Sequence, residues 1–476
     1  MSRRHVFPGP TRLSPPSAAA MAARLPVLAA AAVAAVATAA GVAAPAAGAA
    51  PTPLFDAAAH RETLLSVVDA WNGGALTPAS RAGNASAFHV TLHANWTRVE
   101  PKDTTAVAQA RGIYINVEAA AAAATVCDAR APSFVAAVKA GVQALNDLFR
   151  DPADGAVVYL VHEDNGTVAD PTKDGYANVH STFALASAVR VLDGADAAAA
   201  LEDALEMYEW VKAVLDDGSG GGLYWRAGDP ANATRGLDPV THWFEALQAL
   251  WDVLPAGAKR DEVAAEVARA GTFLVDTMAV TEADDPASAY LVFNYKADWT
   301  PSDVPYTRAN QWTAGEWAST GHGVEIAWLL SRAEQRGLAP AGSDWLAAGD
   351  RLVRHCEKYA IDDRGLVRWE EVALNGSTIV GNPDNDLYEW WPNSEAARTY
   401  VHHAVTRGRR ATAGPKWRTV ANLLNGPMTD PVWGGWFRFV TVDGLAPEGS
   451  PKWDRWKVAY HFAMLHAEVL RLAPLR

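Results

Sequence analysis

Cysteine is nearly absent from this chain, with Cys127 and Cys356 the only two among 476 residues. They make no C-x-x-C pair and are too few for a disulfide framework. That leaves either one disulfide in an oxidising lumen or two buried thiols. Several catalytic signatures are missing too. There is no H-E-x-x-H, and His402 and His403, adjacent on a helix, cannot both face one metal ion. No G-x-x-x-x-G-K-[ST] occurs, which excludes a P-loop, and no G-x-S-x-G, which excludes a nucleophile elbow. The run GSGGG at 218–222 follows a helical pattern and precedes a strand, the wrong order for dinucleotide binding, so it reads as a turn.

Positive charge is scarce. The formal net charge is −13, and four arginines (Arg3, Arg4, Arg12 and Arg24) fall in the first 53 residues, which hold no acidic residue; without those four the remainder carries −17. An acidic surface argues against nucleic acid and anionic membranes as partners and favours a neutral substrate. The basic run RGRR at 407–410 reads as a solvated loop.

The basic N-terminal flank is followed by LPVLAAAAVAAVATAAGVAA at 25–44 and then by small residues, the pattern of a secretory leader. The run is long enough to span a bilayer, so an uncleaved signal anchor is the alternative. Residues 1–53 are therefore set apart from a single domain expected over 54–476. Five N-x-S/T sequons, at Asn84, Asn95, Asn165, Asn232 and Asn375, join the leader in pointing to the secretory lumen and N-glycosylation.

Half of the residues are hydrophobic, enough for a large core, and the 19 tryptophans exceed ordinary usage. Most belong in that core, and some suit sugar-stacking walls. The chain also carries a repeat. Short β-branched and aromatic runs begin at FHVTL (88), VVYLV (157), GLYW (222), YLVFNY (290), GLVRW (365) and GWFRFV (435), spaced by about 70 residues. Each is followed by a helical segment opening with polar groups: QARGIYINVEAA, VHSTFALASAV, THWFEALQALW, HGVEIAWLL, NSEAARTYVHHA and YHFAMLHAEVL. Amphipathic segments such as 132–151, 196–217 and 260–279 precede the runs, with apolar residues at i, i+3, i+4 and i+7.

Six units of helix, short strand and helix predict an all-α (α/α)6 barrel, a six-hairpin toroid with short β-strands in the connections at one mouth. An open solenoid would need polar outer faces on its end units, which the pattern does not supply. The strands are too short and too far apart for a doubly wound sheet.

Aligned in phase, the inner helices open with Arg111, His180, His242 with Glu245, His322 with Glu325, Glu395 and His461. In a barrel these starts converge on one mouth. A single glutamate in a first turn is explained by the helix dipole alone; recurrence at matched phase is what points to a site.

These residues carry a resemblance. THWFEALQALW, GHGVEIAWLL, EWWPNSEA and DRWKVAYH, with FHVTL and KDTTAVAQAR before them, are similar to the signature segments of the N-acylglucosamine 2-epimerase superfamily. The resemblance covers nearly all of 57–472 and implies an (α/α)6 barrel, agreeing with the repeat. It further implies that His322 and His461 are proton-transferring histidines. Arg111, His242, Glu325 and Glu395 match substrate-holding or stabilising residues, and Trp391 a sugar-contacting tryptophan; Glu245, Trp328 and His180 are expected among the substrate contacts. Where relatives commonly read W-K-G-P-[YF]-H-N and W-W-P-Q-A-E, this chain has Val458, Ala459 and Phe462, and Asn393 and Ser394. The fold often dimerises in this family, so a homodimer is a possible assembly.

Such chemistry opens a reducing sugar, removes the C2 proton to give a cis-enediolate, and returns a proton to the other face of C2 or to C1. Two groups that accept and donate near neutrality are needed, and imidazole suits with a reference pKa of about 6.5. Arg111 and His242 are the candidate donors to the enediolate oxygens, placing His242 with the catalytic set. The expected partner is a small neutral reducing sugar, and neither a metal nor a redox cofactor is required. The rival enzyme is an inverting glycoside hydrolase using two of Glu325, Glu395 and Asp386, with carboxylates about 6.5–9.5 Å apart. A non-enzymatic rival is a carbohydrate-binding barrel with an idle pocket.

Overall fold

The computed structural model describes residues 56–76, 87–100, 103–163, 166–305, 315, 317–368, 371–375, 378–381, 387–446 and 452–475, all within one compact unit, Leu54–Arg476. The expected leader, the sequons at Asn84 and Asn165, and Asp386 lie outside the described residues. No described helix is long and apolar enough to cross a membrane.

Among the described residues, twelve α-helices alternate between two layers. The outer ones are α1 (Ala57–Ala75), α3 (Ala131–Ala144), α5 (Gly194–Val214), α7 (Ala258–Phe273), α9 (Trp345–Tyr359) and α11 (Arg410–Asn425). The inner ones are α2 (Ala106–Ala124), α4 (Gly175–Ala188), α6 (Leu237–Val253), α8 (Thr320–Gln335), α10 (Trp390–Thr406) and α12 (Tyr460–Leu472). Burial separates the layers. Every residue of α4 is buried, whereas α5 buries only Ala200, Ala204, Met207, Tyr208, Trp210 and Val211, the single stripe of a surface helix. Neighbouring inner helices pack in order, α12 closes against α2, and α1 covers that seam by packing on both. The (α/α)6 barrel expected from the repeat is the fold. Two outer helices, α3 and α7, end in matching π turns at Leu145–Phe149 and Leu274–Met278.

The repeated runs are less strand-like than their composition suggests. Four open with a single antiparallel bridge to the end of the preceding outer helix, Val157 with Arg150, Leu223 with Asp216, Val367 with Ile361 and Trp436 with Thr429, and two of them run on into short strands, Leu160–His162 and Phe439–Thr441. An aspartate tightens each turn by accepting the N–H two residues on, as Asp151 does from Ala153 and Asp362 from Arg364. The longer pairings are mostly in the connections that lead into inner helices: β1 (Asp103–Thr105) into α2, β2 (Arg235–Gly236) into α6, β3 (Trp317–Ser319) into α8 and β4 (Leu387–Glu389) into α10. They bring those helix N-termini to one mouth.

Buried amides lock helix to hairpin. Asn178 bonds both the N–H and the carbonyl of Val157, and Asn393 does the same to Val367, each also donating to a carbonyl one turn back. Asn393 is thus a structural clamp matching Asn178.

Candidate active site

The inner-helix residues selected by phase gather at the strand-lined mouth. His322 stands in the first turn of α8. Its Nδ1 lies 2.6 Å from the hydroxyl of Ser319, which occupies the N-cap position but makes no capping bond to the helix. That hydroxyl would ordinarily accept from a first-turn N–H; here it orients an imidazole. His322 Nε2 meets Asp238 Oδ1 at 3.1 Å. Burial opposes the charged ring, but the hydrogen bond and charge of Asp238 outweigh it, and His322 titrates above the ordinary histidine range.

His461, in the first turn of α12, has the opposite poise. Burial first, then the positive charges of Arg111 and Arg398, hold it well below the ordinary range, so it is neutral near pH 7. Its Nδ1 is tied to Glu395 Oε1 at 2.7 Å, leaving Nε2 for a ligand. The Trp391 ring lies between the two histidines, with centroids 5.0 Å from His322 and 5.1 Å from His461. It rests on Gly321, where a Cβ would stand 2.3 Å from the indole.

Glu325 bridges the two halves. One of its oxygens lies within 4.8 Å of ring nitrogens of His242 and His322, and one within 4.8 Å of Glu395 and His461. Arg398 contacts Glu395 directly and approaches Glu325 at 3.6 Å. Burial, reinforced by Glu325 and Glu245, lifts the Glu395 carboxyl well above the usual range in spite of Arg398. Those two trios bring ligand-type atoms together, yet the Arg398 guanidinium already supplies their positive charge.

On the other side of the mouth His242 Nδ1 is 3.0 Å from Glu245 Oε2, and the Tyr460 hydroxyl donates to the same oxygen at 2.6 Å. Burial would raise Glu245, but His242, Arg398 and Tyr460 hold it below the usual range. His180 lies 4.4 Å from His242 by ring centroids, and neither of its nitrogens has a hydrogen-bond partner among the described residues. Burial, then His242 and Arg111, keep it neutral. Arg111 donates to the Tyr176 hydroxyl at 2.6 Å and to the Trp456 carbonyl at 2.8 Å, and its guanidinium lies 4.7 Å from the Tyr460 ring centre.

Trp328 lies elsewhere. It is 2% exposed, with Arg398 3.9 Å from its ring centre and Arg332 and Arg471 at 5.1 and 5.7 Å. Six residues beyond His322, it sits about 9 Å deeper along α8 and about 120° around the axis. That is a packing position below the site, not a wall of the mouth.

Sequence reasoning missed Asp238, Arg398, Tyr176 and Tyr460. Asp238 is four residues before His242 on α6, and Arg398 three after Glu395 on α10; the phase rule that found the others would have reached both. The cysteines are unpaired, Cys127 exposed and Cys356 buried.

The family model for N-acylglucosamine 2-epimerase (GlcNAc 2-epimerase) matches residues 88–464. The chain belongs to this family. A D-mannose isomerase from Thermobifida fusca is 29% identical over 294 residues, 56% of this chain and 66% of that protein. A cellobiose 2-epimerase from Bacteroides fragilis is 28% identical over 155 residues, 32% of this chain and 37% of that protein. The matched regions thus span less than two thirds of either relative. Among solved structures, a D-mannose isomerase superposes with a TM-score of 0.69 at 16% identity, covering 89% of this chain and all of that one, a likeness of fold.

In this member of the epimerase family Asn393, Ser394 and Phe462 lie behind the site. Asn393 clamps Val367, and Ser394 donates to the His461 carbonyl at 2.9 Å. Phe462 is buried against Trp436 and His466, with ring centroids 4.6 and 4.4 Å away. They support the helices that carry His461 and Glu395 and leave the chemical groups in place.

Proposed function

We propose that this protein interconverts reducing sugars, by 2-epimerisation or aldose–ketose isomerisation, through a cis-enediolate. The observation that carries the reading is the opposite poise of two histidines across one tryptophan: His322 biased towards imidazolium by Asp238, and His461 neutral over Glu395. Paired groups whose environments push their proton affinities apart divide into acid and base.

In this scheme the opened sugar lies against Trp391. His461 Nε2 takes the C2 proton, and the electron pair moves onto the C1 carbonyl oxygen. Arg111 and His242 stabilise the enediolate oxygens. His322 returns its proton to the opposite face of C2, re-forming the C1 carbonyl and giving the epimer, or to C1, with the O2 hydroxyl proton passing to O1 as the C2 carbonyl forms, giving the ketose. The product leaves the two histidines in exchanged protonation states, which solvent resets.

The hydrolase reading fits less well. Its water needs carboxylates about 6.5–9.5 Å apart, whereas Glu325 and Glu395 bring oxygens within 4.8 Å of each other and share Arg398. His322→Asn separates the two. Sugar interconversion should fall by about 10²–10⁴-fold, the usual contribution of a positioned acid or base. Retained turnover, or cleavage of glycosides by the variant, would remove His322 from the mechanism.

A further inference from the structure

The opposite end of the barrel carries a second cluster of charge that the sugar chemistry does not use. Arg332 and Arg336, in the last turns of α8, share one carboxylate, Asp252 of α6, at 2.9 and 2.8 Å. Arg190, just past α4, pairs with Glu118 of α2, and Arg471, in the last turn of α12, with Glu468. Four guanidinium groups thus face three carboxylates. Cations at helix C-termini are favoured by the helix dipole, and that alone would account for one or two of them.

The surplus is felt. Burial and then Arg332 push Arg336 down to about 10. A neighbouring cation makes the Arg336 proton harder to hold. The cluster also reaches water, since the side chains of Arg190 and Arg471 are 41% and 46% exposed. Its floor is fixed. His402 bonds Glu468 at 2.7 Å through Nδ1 and Ser331 at 3.0 Å through Nε2, and all three are at most 2% exposed. A serine, histidine and acid in a row suggest acyl transfer, but no substrate reaches a hydroxyl so buried. Arg332 and Arg471 both lie over Trp328, whose ring also meets Arg398 of the sugar site.

We propose that this end of the barrel, opposite the mouth, binds a small phosphate-type oxyanion, held by Arg332, Arg336 and Arg471 with Arg190 at its edge. Guanidinium groups match such an anion by forked, charge-assisted hydrogen bonds. The surplus cation stands out in a chain of net charge −13. The site is independent of the mouth and of the reaction assigned there.

The test is calorimetric titration of the whole protein with inorganic phosphate, and separately with glycerol phosphate, at fixed ionic strength. Saturable binding near one per chain is expected with either, and preference between them tells a free ion from an ester. Arg336→Gln and Arg471→Gln should each weaken it about tenfold or more. The two variants check each other, because Arg336→Gln breaks a part-exposed pair with Asp252 and Arg471→Gln leaves the buried Glu468 to His402 alone. The unfolding temperature should also rise with phosphate in the wild type and not in Arg471→Gln. Undetectable binding, unchanged affinity in both variants, or equal stabilisation by chloride at matched ionic strength would overturn the proposal.

Discussion

Replacing Gly321 by alanine should remove activity while leaving the fold nearly as stable. Gly321 is the second residue of α8, and helix propensity alone makes Gly→Ala there a gain of about 0.5–1 kcal/mol. The added methyl would stand 2.3, 2.7 and 2.8 Å from three ring atoms of Trp391. Ordinary carbon contact is about 3.5–4.0 Å, so the indole must retreat by about 1.2 Å or more. Trp391 is half-buried and can swing outward, so the overpacking cost falls at the low end of about 1–3 kcal/mol. The two contributions nearly cancel, and stability should change by about 1 kcal/mol or less. Activity has no such offset, because a misplacement of about 1 Å near reacting groups costs about 10²-fold, and Trp391 is the surface between His322 and His461. Steady-state kinetics beside urea unfolding reads both numbers. A Gly321→Ala enzyme with wild-type kcat/KM would refute the placement of substrate against Trp391, and one that unfolds would refute the claim that the indole can yield.

Asp238→Asn should lower kcat/KM by about 10²-fold and move its basic limb to lower pH, since His322 loses the charge that keeps its proton; a full pH–rate profile decides it. The same change affects folding. A histidine raised in the folded state stabilises fully below its unfolded value of about 6.5 and loses that contribution as pH rises through the folded value. The stability deficit of Asp238→Asn should therefore be larger in mild acid than in alkali, measured by urea unfolding at each end. Asn393→Ala should cost about 2–3 kcal/mol of stability, because it strands the N–H and the carbonyl of Val367 together; an unchanged unfolding midpoint would contradict its role as a clamp.

The six-fold repeat was legible because a unit of about 70 residues returns the same order of turn, aromatic run and polar-headed helix. The site was legible to the extent that phase picks it out: Arg111, His242 and Glu395 are each the sixth residue of an inner helix, His322 and His461 stand about one turn nearer the helix start, and all meet at one mouth. Asp238 escaped because an acid in a first turn is also what the helix dipole selects, and only the fold brings it to a histidine 84 positions away. Trp328 was misjudged because H-x-x-E-x-x-W looks like one face, although two steps of three residues rotate and sink the third member out of the site. Composition overstated the strands at GLYW and GLVRW, where Leu223 and Val367 supply one bridge each and then serve the core. Asn393 read as a change near the chemistry, and its hydrogen bonds run instead to backbone.

The central claim is proton transfer at C2, and proton NMR of the purified protein in D2O measures it. The sugars to test are mannose, glucose, fructose, N-acetylglucosamine and cellobiose. Deuterium entering C2 of at least one, with a new anomeric or ketose signal growing at the same rate, is the expected result. Absence of exchange in all of them, under conditions where glycosides are cleaved, would contradict it and return the site to its carboxylates.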